Sequence, residues 1–204
     1  MNVQFRLRTT VFFCTLSLSA LLSLAHTTLA SEFEISAMLG QMHSSDLITD
    51  NGTAIKVDSA SNIAICIAWQ ESNNGQGQIL LNRVSHDFTS ENNTPNVIDI
   101  TYAHFNGVAM FRQQYYVTTI SLGVGGAYLD ADYGSDKLYP SATAAIGTRY
   151  EFYKNITIVT ELRGYATLIN KDDAIFCQQA LCRANFDNSL WTDSTISVGI
   201  AIKY

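Results

Sequence analysis

The sequence has 204 residues, with 12 lysines and arginines against 18 aspartates and glutamates, which gives a net charge of −6 at pH 7. An acidic chain without basic clusters is not typical of nucleic-acid-binding proteins, so we expect no nucleic-acid partner. After residue 30, no stretch approaches the roughly 18 consecutive apolar residues of a transmembrane helix, so none is predicted there.

The first 30 residues have the pattern of a secretory signal peptide. Two arginines precede an almost wholly apolar or hydroxyl-bearing run over residues 11–25, and Thr28 and Ala30 are small residues where a signal peptidase reads the chain. A lone anchoring helix is the alternative, but the run is too short to span a bilayer comfortably. We therefore expect a single domain, residues 31–204, in which removal of two arginines leaves 10 basic and 18 acidic residues, a net charge of −8.

Eight segments follow in which every second residue is apolar, as in β-strands with one apolar face. The predicted strands cover residues 33–41, 61–70, 78–86, 97–111, 116–128, 141–152, 156–168 and the segment from Trp191 to the end. Segments of about ten residues, joined alternately by long loops and short turns, suit a transmembrane β-barrel. A soluble β-sandwich is the alternative class, because its polar strand faces would simply be solvated.

The fourth predicted strand does not keep one parity. Ile98, Ile100 and Tyr102 form an apolar face that we assign to the outside of the barrel. Continued alternation would also send His104 and Asn106 outward. We therefore predict a β-bulge near His104.

The last strand ends the chain on an aromatic ring. An exposed apolar strand at this position would invite aggregation, unless its edge closes onto the first strand. The layout of Ser197, Gly199, Ile202 and Tyr204 also resembles the C-terminal assembly signal of bacterial outer-membrane barrels. We therefore predict a closed barrel in which the terminal strands pair.

Residues 161–168, the stretch Ala174-Ile175-Phe176-Cys177, Cys182 and Trp191 resemble a branch of the porin-like β-barrel domain family, the small outer-membrane proteins of Gram-negative bacteria. This resemblance implies an all-β, eight-stranded antiparallel up-and-down barrel in the cell outer membrane. It also implies contact with outer-membrane lipid and lipopolysaccharide, and insertion by the barrel-assembly machinery through the C-terminal strand. It implies no reaction, because such barrels host very different functions.

The hairpin between the sixth and seventh strands decides which interior side chains are neighbours. A two-residue turn would place the inward Glu151 beside an outward residue. A three-residue loop, residues 153–155, instead pairs Glu151 with Thr157 and Arg149 with Val159. We predict the three-residue loop.

Charged side chains in mid-strand must point inward, because arginine facing lipid would cost about 2–4 kcal/mol. An eight-stranded barrel has an interior just wide enough to be filled by side chains. In the predicted register Glu161 lies diagonal to Arg149, so we hypothesise an internal Arg149–Glu161 ion pair, extended by Glu151 and Arg163. We interpret this network as structural filling, with a proton or ion pathway as the alternative.

The cysteines after residue 30 occupy two kinds of position, a long loop and the inward face of a strand. Cys177 and Cys182 lie in the last long loop, where export permits a disulfide, and we predict a bridge between them. Metal binding is the alternative, but only two thiols are present and no histidine lies near. Cys66 lies on the inward face of the second strand, as a small apolar filler.

The predicted loops are acidic. The two clearest candidate residue pairs for acyl-ester hydrolysis lie at the extracellular ends of predicted strands. Ser85 and His86 are adjacent on a strand and point to opposite faces, so they cannot pair. His43 and Ser45 share a face, but no acid is clearly placed to orient the histidine. We therefore predict a non-catalytic barrel without cofactor or metal, acting in envelope integrity or in surface binding through its acidic loops. A narrow channel for small solutes and a lipid A-modifying enzyme are the alternatives.

Overall fold

Eight antiparallel strands close into an up-and-down barrel in the computed structural model, which confirms the predicted fold. The structure describes residues 33–48, 52–89, 95–131, 136–170, 177–178, 181–182, 185–187 and 189–204, and the predicted signal peptide lies outside them. No helix in this part of the chain is long and apolar enough to cross a membrane. The strands are β1 (Phe33–Ser44), β2 (Ala60–Ser72), β3 (Gly75–Thr89), β4 (Pro95–Arg112), β5 (Val117–Ala131), β6 (Lys137–Tyr153), β7 (Ile156–Leu168) and β8 (Leu190–Lys203).

The barrel closes between its first and last strands, as predicted. Gly199 pairs with Met38 in the β1–β8 register, and the Tyr204 amide donates to the Phe33 carbonyl at 2.8 Å. A row of paired residues that starts at Phe33 and follows the register around all eight strands returns to β1 at His43. The strands are therefore staggered by ten residues, and such a shear tilts every strand relative to the barrel axis.

The β6–β7 hairpin has the predicted pairing but reaches it in another way. Arg149 faces Val159 and Glu151 faces Thr157, as expected. The predicted three-residue loop is wrong: Lys154 and Asn155 form a two-residue turn, and the register shifts between Glu151 and Tyr153. A bulge in the strand restores the parity that a two-residue turn alone would invert.

The outer surface carries an apolar belt. Outward residues such as Leu39, Ile65 and Leu122 are exposed, with Leu122 retaining 65% of its surface. Aromatic rings gather at the end of the short turns, as at a membrane–water interface, and they include Phe33, Phe111, Tyr115, Tyr150, Phe152, Tyr153 and Tyr204. Exposed apolar surface of this extent is stable only against lipid. Outer-membrane barrels have short turns on the periplasmic side, and by this rule the short turns, with Phe33 and Tyr204 beside them, face the periplasm.

The bulge predicted in β4 is wrong. The β4 pairings with β3 and β5 run without a register shift, and Ile98, Ile100, Tyr102, His104 and Asn106 all point into the barrel. The prediction failed because β4 rises beyond the apolar belt at its extracellular end. There the exterior is wet and the interior is apolar, so inward residues change from apolar to polar along one unbroken face.

The extracellular mouth is closed by the chain itself. Segments Leu47–Ile48, Ala54–Ile55 and Asn185–Phe186 form a small three-stranded sheet, and Leu47, Ile55 and Phe186 are buried. They join one apolar cluster with inward residues of the barrel, among them Met42, Phe88, Ile98, Ile100, Leu129, Ile169 and Trp191. The upper part of the barrel therefore has a packed core like that of a soluble protein.

Candidate functional site

The periplasmic end of the lumen is crossed by an ion pair. The Arg149 guanidinium contacts the Glu34 carboxylate, and both side chains are more than nine-tenths buried. The hypothesised Arg149–Glu161 pair is therefore wrong, because the partner comes from across the lumen rather than from the adjacent strand. Glu151 lies at the rim, half exposed, where it accepts from Lys203 at 2.5 Å.

A second charged layer lies above the first. Arg163 is 1% exposed and holds Glu161 through two hydrogen bonds, Nε to Oε1 at 2.7 Å and Nη2 to Oε2 at 2.9 Å. The same guanidinium donates to the hydroxyls of Thr143 and Ser121. A two-pronged contact of this kind satisfies both charges, as a buried pair requires. Of the four residues proposed for the interior network, three lie inside, paired differently.

Amide and hydroxyl side chains form the next layer. Asn62 donates to Asn82, which donates to the Tyr165 hydroxyl at 2.7 Å, and Thr195 donates to Asn62 at 2.8 Å. The Tyr165 ring stacks on Tyr102, with centroids 4.1 Å apart. These contacts join strands on opposite sides of the barrel, so side chains fill the lumen at this height.

Four side-chain atoms of three lumen residues lack a hydrogen-bond partner among the described residues. They are both ring nitrogens of His104, Oδ1 of Asn106 and Oδ1 of Asp193, all buried. Asn106 uses its other end to donate to Gln78 at 3.0 Å. Its amide lies directly over Gly123 of β5, where a β-carbon would collide with it. Glycine at this position therefore makes room for a polar side chain inside the narrow barrel.

Ser44, His86 and Asp193 form the cluster that most resembles a hydrolase site. Ser44 Oγ lies 2.8 Å from His86 Nε2, while His86 Nδ1 donates to the Asp58 carbonyl, also at 2.8 Å. Asp193 instead accepts from Trp191 at 2.8 Å and from Tyr102. A catalytic triad needs an acid on the far histidine nitrogen and an accessible nucleophile. His86 is completely buried and its far nitrogen meets a backbone carbonyl, so this cluster ties the loop to the barrel.

The sequence-based candidates for hydrolysis do not form a pair. His43 Nδ1 meets Ser59 at 2.6 Å, whereas Ser45 bonds Thr192 on β8. Ser85 points outward and His86 inward, as expected from their adjacency. The Ser44–His86 contact was missed because its members lie 42 positions apart. Only the β1–β3 proximity around the barrel brings them together.

The predicted disulfide remains a prediction. Cys177 and Cys182 are directly opposite each other in a short antiparallel pair, but their side chains lie outside what the structure describes. Cys66 is buried and is a free thiol, consistent with its assignment as a filler. Within the described residues, no group of three or more histidine, cysteine or acidic side chains is placed to hold a metal.

The extracellular ends of β3 to β6 carry acidic residues that reach solvent. We call this surface the acidic face, and its members are Asp87, Asp99, Asp130 and Asp136. Asp99 and Asp130 are opposite each other on neighbouring strands, and Arg83 contacts Asp99 at 3.0 Å. A hydrogen bond from the Tyr128 hydroxyl lowers the pKa of Asp136 below its ordinary value, so this carboxylate stays charged at neutral pH.

Known proteins resemble this chain in fold but not in sequence. No protein-family model and no curated protein sequence matches the chain. Several solved structures do match. Neisserial surface protein A matches with 13% identity and a TM-score of 0.57, over 84% of this chain and 97% of that protein. Ail of Yersinia pestis, in complex with the heparin analogue sucrose octasulfate, matches with 11% identity and a TM-score of 0.55, over 85% of this chain and 99% of Ail. The outer membrane protein AlkL, whose structure was determined in lipid bilayers, matches with 14% identity and a TM-score of 0.54, over 85% of this chain and 90% of AlkL.

The chain has the fold of the small eight-stranded outer-membrane β-barrels. Its apolar belt, periplasmic aromatic rings and closed sheet are the features that such a barrel needs in the outer membrane of a Gram-negative cell. The assembly-signal residues Ser197, Gly199, Ile202 and Tyr204 lie on β8 or just after it, at the seam with β1. Their role as an assembly signal stays a prediction.

Proposed function

We propose that this barrel is a non-catalytic outer-membrane protein that works at the cell surface, in envelope integrity and in binding a positively charged partner. The observation that carries the proposal is the filled interior. Two ion-pair layers, an amide layer and an apolar core succeed one another from the periplasmic to the extracellular end. Because side chains fill the lumen, a function of this barrel must use its outer surface or its extracellular end.

The charge of that surface supports a cationic partner. The acidic face carries four carboxylates against two cations, Arg83, which contacts Asp99, and Lys137, which follows Asp136 at the start of β6. Electrostatic complementarity steers association and excludes partners of like charge. Ail was crystallised with a sulfated, polyanionic ligand, but the acidic face of this barrel would repel such a molecule.

Two alternatives have less support. The buried nitrogens of His104 favour a narrow polar path. Above them, however, Ile98, Ile100 and Leu129 belong to an apolar core, and the buried His86 and Asp193 are held there by hydrogen bonds to the protein.

The lipid A-modifying enzyme needs an accessible nucleophile beside a base that an acid orients. His86, beside Ser44, is completely buried, and His43, 2.6 Å from Ser59, forms no hydrogen bond with an acid among the described residues.

Export and assembly complete the proposal. The signal peptide is cleaved after Ala30, and the barrel-assembly machinery recognises the C-terminal strand before the barrel closes among lipid and lipopolysaccharide. Mass spectrometry of the purified outer-membrane protein should give a mature chain that begins at Ser31.

The test uses the mature barrel in lipid nanodiscs, with a decalysine peptide and a heparin oligosaccharide as probes. We expect decalysine to bind at low salt and heparin not to bind. The double variant Asp87→Asn/Asp130→Asn should weaken decalysine binding several-fold, since exposed charges contribute modestly. Heparin binding, or decalysine binding that ignores the variant, would overturn the proposed partner class.

Two further measurements test the class of function. Planar bilayers containing the protein should show no stable conductance steps, and overexpression should not change the mass of lipid A. Conductance steps would establish a pore instead. A lipid A mass change that disappears in His43→Ala or Ser45→Ala would establish an enzyme.

A further inference from the structure

Two depressions lie next to each other near the extracellular rim. The first, the wall groove, is about 660 Å³ and lies on the lipid-facing wall over β5 to β7. Ala142, Ala144, Gly164 and Ala166 line it as small residues. The second, the rim cleft, is about 760 Å³ and lies where β7 and β8 meet the loops. Both volumes fall within the roughly 300–1,000 Å³ of typical ligand pockets.

The depressions meet at β7, which lines both of them. Ala166 of the wall groove is paired with Thr192 of the rim cleft. Leu168 of the cleft is two residues beyond Ala166 on the same outward face of β7. Large outward side chains, Leu162 and Ile196, are paired below the groove. The small residues therefore leave a trough that leads from the apolar belt up to the rim.

The chemistry changes along this trough. The wall groove is lined by apolar and small residues, with no charged side chain among them. The rim cleft also has apolar surface, mainly from Leu168 and Leu190 because Trp191 is 2% exposed, but it adds the carboxylates of Asp46 and Asp187. No lysine, arginine or histidine occurs among the described residues that line the cleft. An apolar part in the membrane is thus continuous with a negatively charged part outside it.

We propose that the trough binds a cationic amphiphile that enters from the outer leaflet. Its hydrocarbon chain occupies the wall groove, where it replaces bilayer contacts, and its positively charged head group lies in the rim cleft near Asp46 and Asp187. An anionic head group is repelled by the same two carboxylates. This site is distinct from the acidic face and does not depend on the partner proposed there.

Tryptophan fluorescence gives a direct readout. Trp191 lines the cleft, and the chain has two tryptophans, so a Trp69→Phe background reports on the cleft alone. The probe is an alkyltrimethylammonium with a bromine near the head group, which quenches tryptophan fluorescence over a short distance, so that the buried Trp191 beside the cleft still reports the bound probe. It is added below its micelle concentration to the mature barrel in phosphatidylcholine nanodiscs. A neutral and an anionic probe of the same chain length are measured in parallel.

We expect saturable quenching by the cationic probe. Asp46→Asn/Asp187→Asn should raise the apparent Kd at least about tenfold, or about 1.4 kcal/mol. Ala144→Phe, which fills the groove, should also weaken binding, whereas Ala109→Phe, on the same surface outside the groove, should not. Asp87→Asn/Asp130→Asn should leave this binding intact although it weakens decalysine binding. Equal quenching by all three probes, or quenching unchanged in both the head-group and the groove variants, would overturn the proposal.

Discussion

The membrane half and the extracellular half of the barrel have opposite arrangements of polar and apolar residues. In the membrane half, Phe105 of β4 faces lipid while Asn106 lies in the lumen. In the extracellular half of the same strand, Ile100 is buried and Asp99 faces outward beside Arg83. The backbone alternation is unbroken between them. What changes is the medium outside the wall, which selects the residues that each face can carry.

The two halves consequently depend on different interactions. Lipid fills the outside of the membrane half, and the charged side chains in its narrow lumen must find their partners inside the protein. Hydrogen-bonded charges such as Arg163 and Glu161 accomplish this, with two-pronged geometry. The extracellular half buries apolar side chains against the small sheet from the loops, and its stability therefore rests on close packing.

The largest expected effect comes from breaking the buried charge pair. Arg163→Met leaves Glu161 without its cation inside the lumen, which should reduce the free energy of unfolding by about 3–5 kcal/mol. The matched change at the surface, Arg83→Met, removes an exposed pair and should cost less than about 1 kcal/mol. Urea titration of the protein in lipid vesicles measures both.

A double variant separates the loss of the pair from the loss of packing. Arg163→Met/Glu161→Gln removes both charges, so most of the stability should return. If the double variant is as unstable as Arg163→Met, the guanidinium matters for filling space rather than for neutralising Glu161.

The next effect tests the packing of the extracellular half. Leu129 is 1% exposed and belongs to the apolar core, so Leu129→Ala should cost about 2–5 kcal/mol through lost transfer and a cavity. Leu122 lies on the same strand but faces lipid, where chains fill any space that Leu122→Ala creates. That variant should lose only the transfer contribution. Equal losses in the same urea titration would show that the extracellular half is loosely packed.

The comparison also explains what could be predicted from the sequence. Barrel closure, the pairing of Arg149 with Val159 and the strand faces inside the apolar belt follow from local alternation and parity, and the structure confirms them. The Arg149–Glu34 contact does not, because the register of one hairpin says nothing about which strand lies across the lumen. The orientation of Ile98 was wrong because an apolar residue was assigned to the lipid side, a rule that holds only inside the belt.

The smallest expected effect on stability concerns the periplasmic end of the membrane half. Tyr204 is 74% exposed, and its backbone amide donates one hydrogen bond to Phe33. Deleting it should therefore lower the free energy of unfolding of the refolded protein by no more than about 0.5–1.5 kcal/mol. In cells, the same deletion should strongly reduce the amount of barrel in the outer membrane, because the ring is predicted to act as an assembly signal. Tyr204→Phe keeps the ring and should restore normal levels. Heat-modifiable gel migration measures the folded fraction in both settings, and normal outer-membrane levels in the deletion would refute the signal.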